Sequence, residues 1–300
     1  MANNYFPIHG VLPPVVTPFT PEGKVDLDAF VSNIEKWNDT GVCGYLVLGS
    51  NGETPYLEEE DKLELIRLAA QHAAPGKIIM AGTGLESTQA TIRLTEKAAQ
   101  AGAQCALVLT PNYYGDQMGD RAQIDFFTQV ADASPIPILI YNVTKFTHVN
   151  LSPAAASVLS KHPNIIGMKD SSGNIAQLIS FMTHGLDPEF NLLVGTASAW
   201  YPALAIGIQG AVMALANCCP RECVRVQQLF EEGKWQESLA LYKRMFPVNA
   251  CVTGKLGVPA LKYACDRLGY QGGAPCSPLL PLTPDEQQQV EGILKNAQLV

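Results

Sequence analysis

Short apolar runs alternate with amphipathic helical patterns along almost the whole chain. The runs that fit a buried strand are residues 10–17, 44–48, 77–82, 104–110, 137–142, 164–169, 192–195 and 210–214. Between them, apolar residues recur at helical spacing, as in the segments that start after Asp26 and Ser87 and stop near Gly41 and Gly102. Eight strand-then-helix units favour an α/β fold of the closed (β/α)8 TIM-barrel type over an open doubly wound sheet, because side chains just fill an eight-stranded barrel.

Helical patterns continue after the eighth unit, at about 234–246, 255–268 and 284–295. No segment rich in Ser, Gly or charge separates them from the preceding residues. We therefore predict a catalytic barrel over residues 1–232 and a C-terminal helical appendage over residues 233–300 that packs on the barrel.

The composition is that of a globular protein with a sizeable core, since 47% of the 300 residues are hydrophobic and 16% are charged. The formal net charge of -8 and the pI near 5.1 argue against nucleic-acid binding, and no Lys/Arg cluster breaks that pattern. Small-molecule chemistry is therefore expected.

The eight cysteines and five histidines lack the spacing of metal sites, so we expect reduced, mostly buried thiols and no zinc. Residues 1–6 lack a basic region and an apolar stretch, and no later stretch approaches a membrane span. These features predict a cytoplasmic protein without a membrane partner.

Lys169 closes an apolar run that otherwise has the composition of a buried strand. Side chains alternate along a strand, which puts Lys169 on the same face as Gly167 and Ile165 and puts Ile166 and Met168 on the other. Lys169 is therefore expected to point into the barrel, with the glycine leaving room beneath it.

A lysine at the carboxyl end of a barrel strand is a candidate nucleophile, because catalytic groups of such barrels lie at that end. Desolvation favours the neutral amine, which attacks carbonyl carbons. The alternative is a structural Lys169 that extends out of the barrel rim or pairs with Asp170.

Tyr141 ends the preceding strand and faces inward beside Leu139 by the same alternation. Consecutive strands are neighbours in this barrel, so Tyr141 and Lys169 are expected to approach each other. A phenol beside an attacking amine suits proton transfer, although many buried tyrosines only pack.

Two further strand ends carry hydroxyl groups. The turn 49–53 contains two glycines and Ser50, and such a turn exposes backbone N–H groups to an anion. The alternative is that Ser50 and Glu53 serve only as turn and cap residues without a catalytic role. Tyr113 and Tyr114 follow the fourth strand.

Together these segments resemble the dihydrodipicolinate synthase and N-acetylneuraminate lyase superfamily of class I, Schiff-base-forming aldolases. The resemblance covers nearly the whole chain in order, and the segments that carry it are 49–53, 110–114, 141–142 and 166–170. Within the superfamily, the segments that look most like 4-hydroxy-2-oxoglutarate aldolase are 84–90, 161–171 and 252–259.

The resemblance implies catalytic roles for four residues. Lys169 would form an imine with the keto carbon of pyruvate or of a pyruvate-yielding substrate. Tyr141 would relay protons with Ser50, and Tyr114 would reach in from a neighbouring subunit. No metal or organic cofactor is required by this chemistry.

The resemblance also implies which residues bind the substrate. The backbone of Ser50 and Asn51 would hold the substrate carboxylate, and Ser171 and Phe146 would contact the rest of the molecule. The expected assembly is a homotetramer made of two dimers.

Phe146 departs from the family pattern. Members that make dihydrodipicolinate typically carry an arginine here, which binds the carboxylate of the aldehyde substrate. Phe146 instead suits an uncharged aldehyde, with Lys145 or His148 as substitutes if that aldehyde is anionic; alternatively, Phe146 only repacks the loop.

The predicted function is a pyruvate-dependent class I aldolase that reversibly cleaves a 4-hydroxy-2-oxo acid to pyruvate and an aldehyde. The enzymatic alternatives are dihydrodipicolinate synthesis and an imine-forming dehydration or deamination of a 2-oxo acid. The non-enzymatic alternative is a sensor that binds a 2-oxo acid.

Overall fold

The computed structural model of the chain describes residues 5–300; residues 1–4, part of the segment in which no leader is expected, lie outside it. The strands are β1 Gly10–Leu12, β2 Gly44–Val47, β3 Ile78–Gly82, β4 Cys105–Leu109, β5 Ile138–Asn142, β6 Ile165–Asp170, β7 Asn191–Val194 and β8 Gly210–Val212. The α-helices are α1 Leu27–Asn38, α2 Glu59–His72, α3 Thr88–Gln100, α4 Asp120–Ala133, α5 Thr144–Thr147, α6 Pro153–Leu159, α7 Ile175–Thr183, α8 Trp200–Ala205, α9 Pro220–Glu231, α10 Trp235–Asn249, α11 Val258–Arg267 and α12 Pro284–Asn296.

The strands described within residues 5–300 form one parallel sheet of eight in the order β1-β8-β7-β6-β5-β4-β3-β2. The ring closes between β1 and β2, where Cys43 N donates to Val11 O at 2.9 Å and Leu46 N donates to Pro13 O at 3.0 Å. Each of the eight predicted runs overlaps one of these strands. The prediction of a TIM barrel is confirmed.

The first strand is shorter than the predicted run 10–17. Pro13 and Pro14 follow β1 and have no N–H group to donate to a neighbouring strand, so the regular ladder stops at Leu12. The carbonyl oxygen of Pro13 still accepts a hydrogen bond from Leu46, which keeps this segment in the wall of the barrel.

Two apolar layers surround the sheet. Every strand contributes at least one side chain to the barrel interior. These side chains include Leu12, Leu46, Met80, Leu107, Leu139, Tyr141, Ile166, Leu193 and Val212. The outer layer lies between strands and helices, and α1 contributes Phe30, Ile34 and Trp37 to it. Apolar side chains therefore pack against the strands on both the inner and the outer face of the sheet.

Side-chain caps define the beginnings of two helices that the sequence predicts. Asp26 accepts a hydrogen bond from Ala29 N at 2.9 Å at the start of α1, and Ser87 accepts one from Ala90 N at 3.2 Å at the start of α3. Gly102 follows α3 with a φ of 110°, a backbone conformation that favours glycine. Both predicted helices are confirmed.

The register between β5 and β6 contains one extra residue. Ile138 lies opposite Ile165, but the next residue, Leu139, lies opposite Gly167, so Ile166 has no partner of its own. An extra residue of this kind is a β-bulge, and it changes which side chains face the core.

The bulge makes the expected side-chain alternation wrong for two residues. Ile165 packs with Met168 in the outer layer, whereas Ile166 belongs to the cluster inside the barrel. Lys169 follows the bulge and alternates normally with Met168, so its inward direction is as expected. The single extra residue thus reverses the side-chain directions expected for Ile165 and Ile166, and it leaves those of Met168 and Lys169 as expected.

The C-terminal helices α10 to α12 pack against the barrel and against each other. A π-helical segment, Ala250–Lys255, joins α10 to α11. Tyr242 on α10 donates to Ser198 O after β7, and Asn249 Nδ2 donates to Ser198 Oγ at 2.7 Å. The division at residue 232 stays a prediction, but these contacts join the two parts.

All eight cysteines lie in the described part of the chain and are free thiols, six of them buried. Within residues 5–300, no group of three or more His, Cys, Asp or Glu side chains is arranged to hold a metal ion. No helix in that range is both long enough and apolar enough to cross a membrane.

Candidate active site

Lys169 and Tyr141 lie side by side at the carboxyl ends of β6 and β5, where they are opposite each other in the sheet register. The Lys169 Nζ atom is 4.1 Å from the centroid of the Tyr141 ring. The two residues are only 3% and 7% exposed. An amine and a phenol therefore share one space that is shielded from bulk water, as the sequence predicts.

Two opposing effects determine the pKa of Tyr141. Burial raises the pKa, but the charge of Lys169 and hydrogen bonding to Ser50, Lys169 and Ser171 outweigh it and lower the pKa below the usual tyrosine value. The Ser171 contact is loose, because its buried hydroxyl oxygen has no partner of regular hydrogen-bond geometry. The environment of Tyr141 thus favours release of its proton.

Ser50 lies next to this pair, on the turn after β2. Its Oγ atom is 3.5 Å from the Tyr141 hydroxyl oxygen, which is long for an O–H···O hydrogen bond. Contacts between catalytic groups are often long before substrate binds and shorten in the complex. Ser50 is therefore within reach of the phenol but not tightly bound to it.

The same turn contains backbone N–H groups at the start of a short helix. Ser50 and Asn51 begin a 3-10 helix, Ser50–Gly52, and the first amides of such a helix have no partner within it. The turn is bounded by Leu48 with a φ of 62° and Glu53 with a φ of 56°, both in the left-handed region. Each of these two residues costs about 1–2 kcal/mol in that conformation, so surrounding contacts must hold it.

Asp170 is not the ion-pair partner of Lys169. Its buried carboxylate accepts hydrogen bonds from Asn142 Nδ2 at 2.7 Å, Gln177 Nε2 at 2.8 Å and Ser172 N at 3.0 Å. Asn142 belongs to the family-like segment 141–142 but was given no role there; its hydrogen bond to Asp170 links the end of β5 to the end of β6. The alternative of a Lys169–Asp170 pair is wrong.

Gly195, directly after β7, provides the space for Lys169. A Cβ atom at this position would lie 2.9 Å from Lys169 Cε and 1.8 Å from Ser171 Oγ. Gly167 was expected to provide that space, but a Cβ atom there would instead meet the backbone oxygen of Asn191 at 2.5 Å. The position of Gly195 at the end of a predicted strand was the only sequence signal for it.

Tyr114 lies in the loop after β4 and does not enter the space around Lys169 within one subunit. Tyr114 is 71% exposed and packs edge to face with Tyr113 at a centroid distance of 5.0 Å. Glu86 holds this loop by accepting hydrogen bonds from Asn112 N at 2.9 Å and Tyr113 N at 3.0 Å. The loop therefore presents its aromatic rings outward.

Phe146 lies on the short helix α5 after β5 and is 55% exposed. The Lys145 Nζ atom is 5.7 Å from the centroid of its ring. His148 directly follows the helix, with a φ of 54°. The position at which the family pattern has an arginine thus carries an aromatic ring with one lysine beside it.

The site combines an inward amine, a phenol of lowered pKa, a hydroxyl and free backbone amides at the carboxyl end of a parallel barrel. An amine attacks a carbonyl, a phenol and a hydroxyl move the protons, and amides bind a carboxylate. This set of groups suits chemistry on 2-oxo acids through a lysine.

The sequence model of the dihydrodipicolinate synthetase family matches residues 7–297, and the chain belongs to that family. Family membership makes it a class I, pyruvate-dependent enzyme of the aldolase type. The resemblance found in the sequence is confirmed at this level.

The chain is 32% identical to a 4-hydroxy-tetrahydrodipicolinate synthase of Methanothrix thermoacetophila over 285 residues, or 95% of each chain. It is similar to the crystal structure of dihydrodipicolinate synthase from Aquifex aeolicus, with a TM-score of 0.89, 29% identity and coverage of 97% and 98% of the two chains. It is also similar to a prophage protein of the dihydrodipicolinic acid synthase family from E. coli K12 in complex with pyruvate, with a TM-score of 0.91, 28% identity and coverage of 97% and 99%. These relatives are named for the synthase reaction, not for 4-hydroxy-2-oxoglutarate aldolase.

Proposed function

We propose that the protein reversibly cleaves a 4-hydroxy-2-oxo acid to pyruvate and an aldehyde through an imine on Lys169. The observation that carries this proposal is the buried contact between Lys169 and Tyr141, in which an amine lies against a phenol of lowered pKa. Both groups are needed for imine chemistry, and both lie where catalytic groups of this fold are found.

In the first step, Lys169 Nζ attacks the keto carbon at C2 to form a carbinolamine. Tyr141 transfers a proton to the oxygen at C2, which leaves as water and gives the protonated imine. The amides of Ser50 and Asn51 bind the adjacent carboxylate. The positive imine nitrogen then withdraws electrons from the carbon chain.

In the second step, the C3–C4 bond breaks and its electron pair moves into an enamine. The proton of the 4-hydroxyl group passes to Tyr141, and the aldehyde departs. A proton is then added at C3, and water hydrolyses the imine to release pyruvate and the free lysine. The reverse sequence joins pyruvate to an aldehyde with the same groups.

The second candidate is the synthase reaction, which the names of the relatives favour over aldol cleavage. Imine formation on Lys169 is common to both, and also to dehydration or deamination of a 2-oxo acid. Phe146 favours aldol cleavage, because it replaces the arginine expected in a dihydrodipicolinate synthase. Lys145, whose Nζ atom lies 5.7 Å from the Phe146 ring centroid, would be a cation for a carboxylate at that end of the substrate.

Tyr114 completes the proton relay from a second subunit in this proposal. The exposed Tyr113–Tyr114 pair supports an intersubunit role, because two large aromatic rings 78% and 71% exposed are typical of a contact surface. The assembly is a homotetramer of two such dimers.

Imine trapping tests the proposal. Protein mixed with pyruvate and reduced with borohydride is expected to carry one covalent adduct on Lys169, located by peptide mass spectrometry. Protein reduced without pyruvate is the control. An adduct on a different lysine, or none in folded protein, would refute the proposed chemistry.

The variant Phe146→Arg tests which aldehyde the site accepts. The new guanidinium is expected to raise kcat/KM for carboxylate-bearing aldehydes such as glyoxylate, relative to uncharged ones, by about 10–100-fold, since a hydrogen bond to a charged group contributes about 1.5–3 kcal/mol. Pyruvate consumption with each aldehyde measures the ratio. Phe146→Leu is the neutral control, and an unchanged ratio in Phe146→Arg would place residue 146 away from the aldehyde.

A further inference from the structure

A second buried lysine, Lys262 on α11, has no part in imine formation. Its ammonium group pairs with the carboxylate of Glu53, and both side chains are 1% exposed. Lys262 Nζ also donates to Ala274 O at 2.7 Å and lies 4.5 Å from the centroid of the Phe19 ring. The C-terminal helices thus place a fully enclosed ion pair against the loop after β2.

Glu53 is the last residue of the turn that carries Ser50 and Asn51. Its second carboxylate oxygen accepts a hydrogen bond from Cys276 N at 2.8 Å, and its own N–H donates to Ser50 O at 3.3 Å. The carboxylate is therefore held by the C-terminal segment, while the backbone is bonded to the residue next to Tyr141.

The turn needs such support because its two ends adopt unfavourable backbone conformations, at Leu48 and Glu53. Thr17 Oγ1 donates to Gly52 O at 2.8 Å and supports the middle of the turn. The Lys262–Glu53 pair and the hydrogen bond from Cys276 N support its far end. Charges enclosed in this way have strict geometric demands, because each needs its partners at hydrogen-bond distance.

We propose that Lys262 and Glu53 are positioning residues that let the C-terminal helices set the place of the Ser50–Asn51 turn and hence the binding of the 2-oxo acid carboxylate. The catalytic part of this inference rests on the proposed function. Lys262 and Glu53 touch neither the substrate nor the reacting atoms, and they act through Ser50. The C-terminal helices therefore contribute to the active site without entering it.

The double variant Glu53→Gln/Lys262→Met is the main test, because it removes both charges and leaves no unpaired ion in the core. Lys262→Met alone leaves a buried carboxylate unpaired, and its folding is checked by circular dichroism. In the double variant, KM for pyruvate is expected to rise by about 10–100-fold, the order of effect that a displaced binding group produces. The kcat value is expected to change much less.

Hydrogen–deuterium exchange gives a readout that does not depend on the reaction. The amides of residues 49–57 are expected to exchange faster in the double variant than in the wild type. The control is Arg267→Met/Glu291→Gln, which removes an exposed ion pair between α11 and α12. This control should leave both KM and the exchange of residues 49–57 unchanged.

Two outcomes would overturn the inference. One is wild-type exchange of residues 49–57 in the double variant, and the other is faster exchange with an unchanged KM for pyruvate. Failure of the proposed function is recognised separately, because wild-type protein would then form no adduct on Lys169. The exchange experiment would still decide whether the ion pair holds the turn.

Discussion

Replacing Lys169 with methionine is expected to lower kcat for aldol cleavage by on the order of 10⁴-fold or more, because no amine remains to form the imine. A loss of this size corresponds to about 5 kcal/mol of transition-state stabilisation. Methionine is unbranched and apolar, so it suits the buried position that Lys169 occupies. Pyruvate release at high enzyme concentration measures the residual rate.

Lys77→Met is the matched control for this prediction. Lys77 directly precedes β3 at the opposite end of the barrel, and its ammonium donates to Val42 O at 2.5 Å. The control should keep its activity and its borohydride adduct. Equal losses in both variants, or an adduct that persists in Lys169→Met, would show that Lys169 is not the nucleophile.

Replacing Tyr141 with phenylalanine is expected to lower kcat by about 10²–10⁴-fold, the usual contribution of a positioned acid or base. The ring is retained, so packing inside the barrel changes little, and the imine still forms slowly on Lys169. Single-turnover trapping with borohydride separates slow imine formation from slow carbon–carbon cleavage.

Tyr45→Phe is the matched control, since Tyr45 is a fully buried strand tyrosine whose hydroxyl donates to Asn38 Oδ1 at 2.8 Å, away from the site. This control is expected to cost about 1 kcal/mol of stability and to leave kcat unchanged. A normal kcat in Tyr141→Phe would remove Tyr141 from the catalytic residues.

The lowered pKa of Tyr141 gives the same variants a pH signature. Burial raises this pKa, whereas the charge of Lys169 and the hydrogen bonds lower it. The Lys169→Met variant loses the charge and the hydrogen bond of Lys169, so the raising effect of burial is opposed only by the remaining hydrogen bonds. The ionisation of Tyr141 is therefore expected to move to higher pH in Lys169→Met. An ultraviolet titration of tyrosinate, with Tyr141→Phe as the baseline, follows it, and a shift to lower pH would contradict the assigned cause.

The strand-and-helix order was predictable because each unit satisfies a local rule. Asp26 and Ser87 cap their helices, and buried strands appear as short apolar runs. Strand ends were less predictable where a backbone property intervened. Pro13 and Pro14 shorten β1 for lack of N–H groups, although the run 10–17 is apolar up to Thr17.

The site was predictable where position along a strand determines direction. Tyr141 and Lys169 follow from alternation and from the adjacency of consecutive strands. The bulge at Ile166 was not predictable, because it is a feature of how β6 pairs with β5 and the composition of β6 alone does not indicate it. The contacts of Gly195, Asn142 and Lys262 were missed because they involve atoms from other strands or from the C-terminal helices.

The clearance at Gly195 limits how this barrel can diverge. Even one added methyl group would collide with Ser171 and crowd Lys169, so position 195 is closed to side-chain variation while the imine chemistry is retained. Phe146 lies at the open rim, where a change of side chain meets solvent and not the core. Mutant libraries that seek new aldehyde specificity should therefore leave residue 195 unchanged and vary the rim after β5.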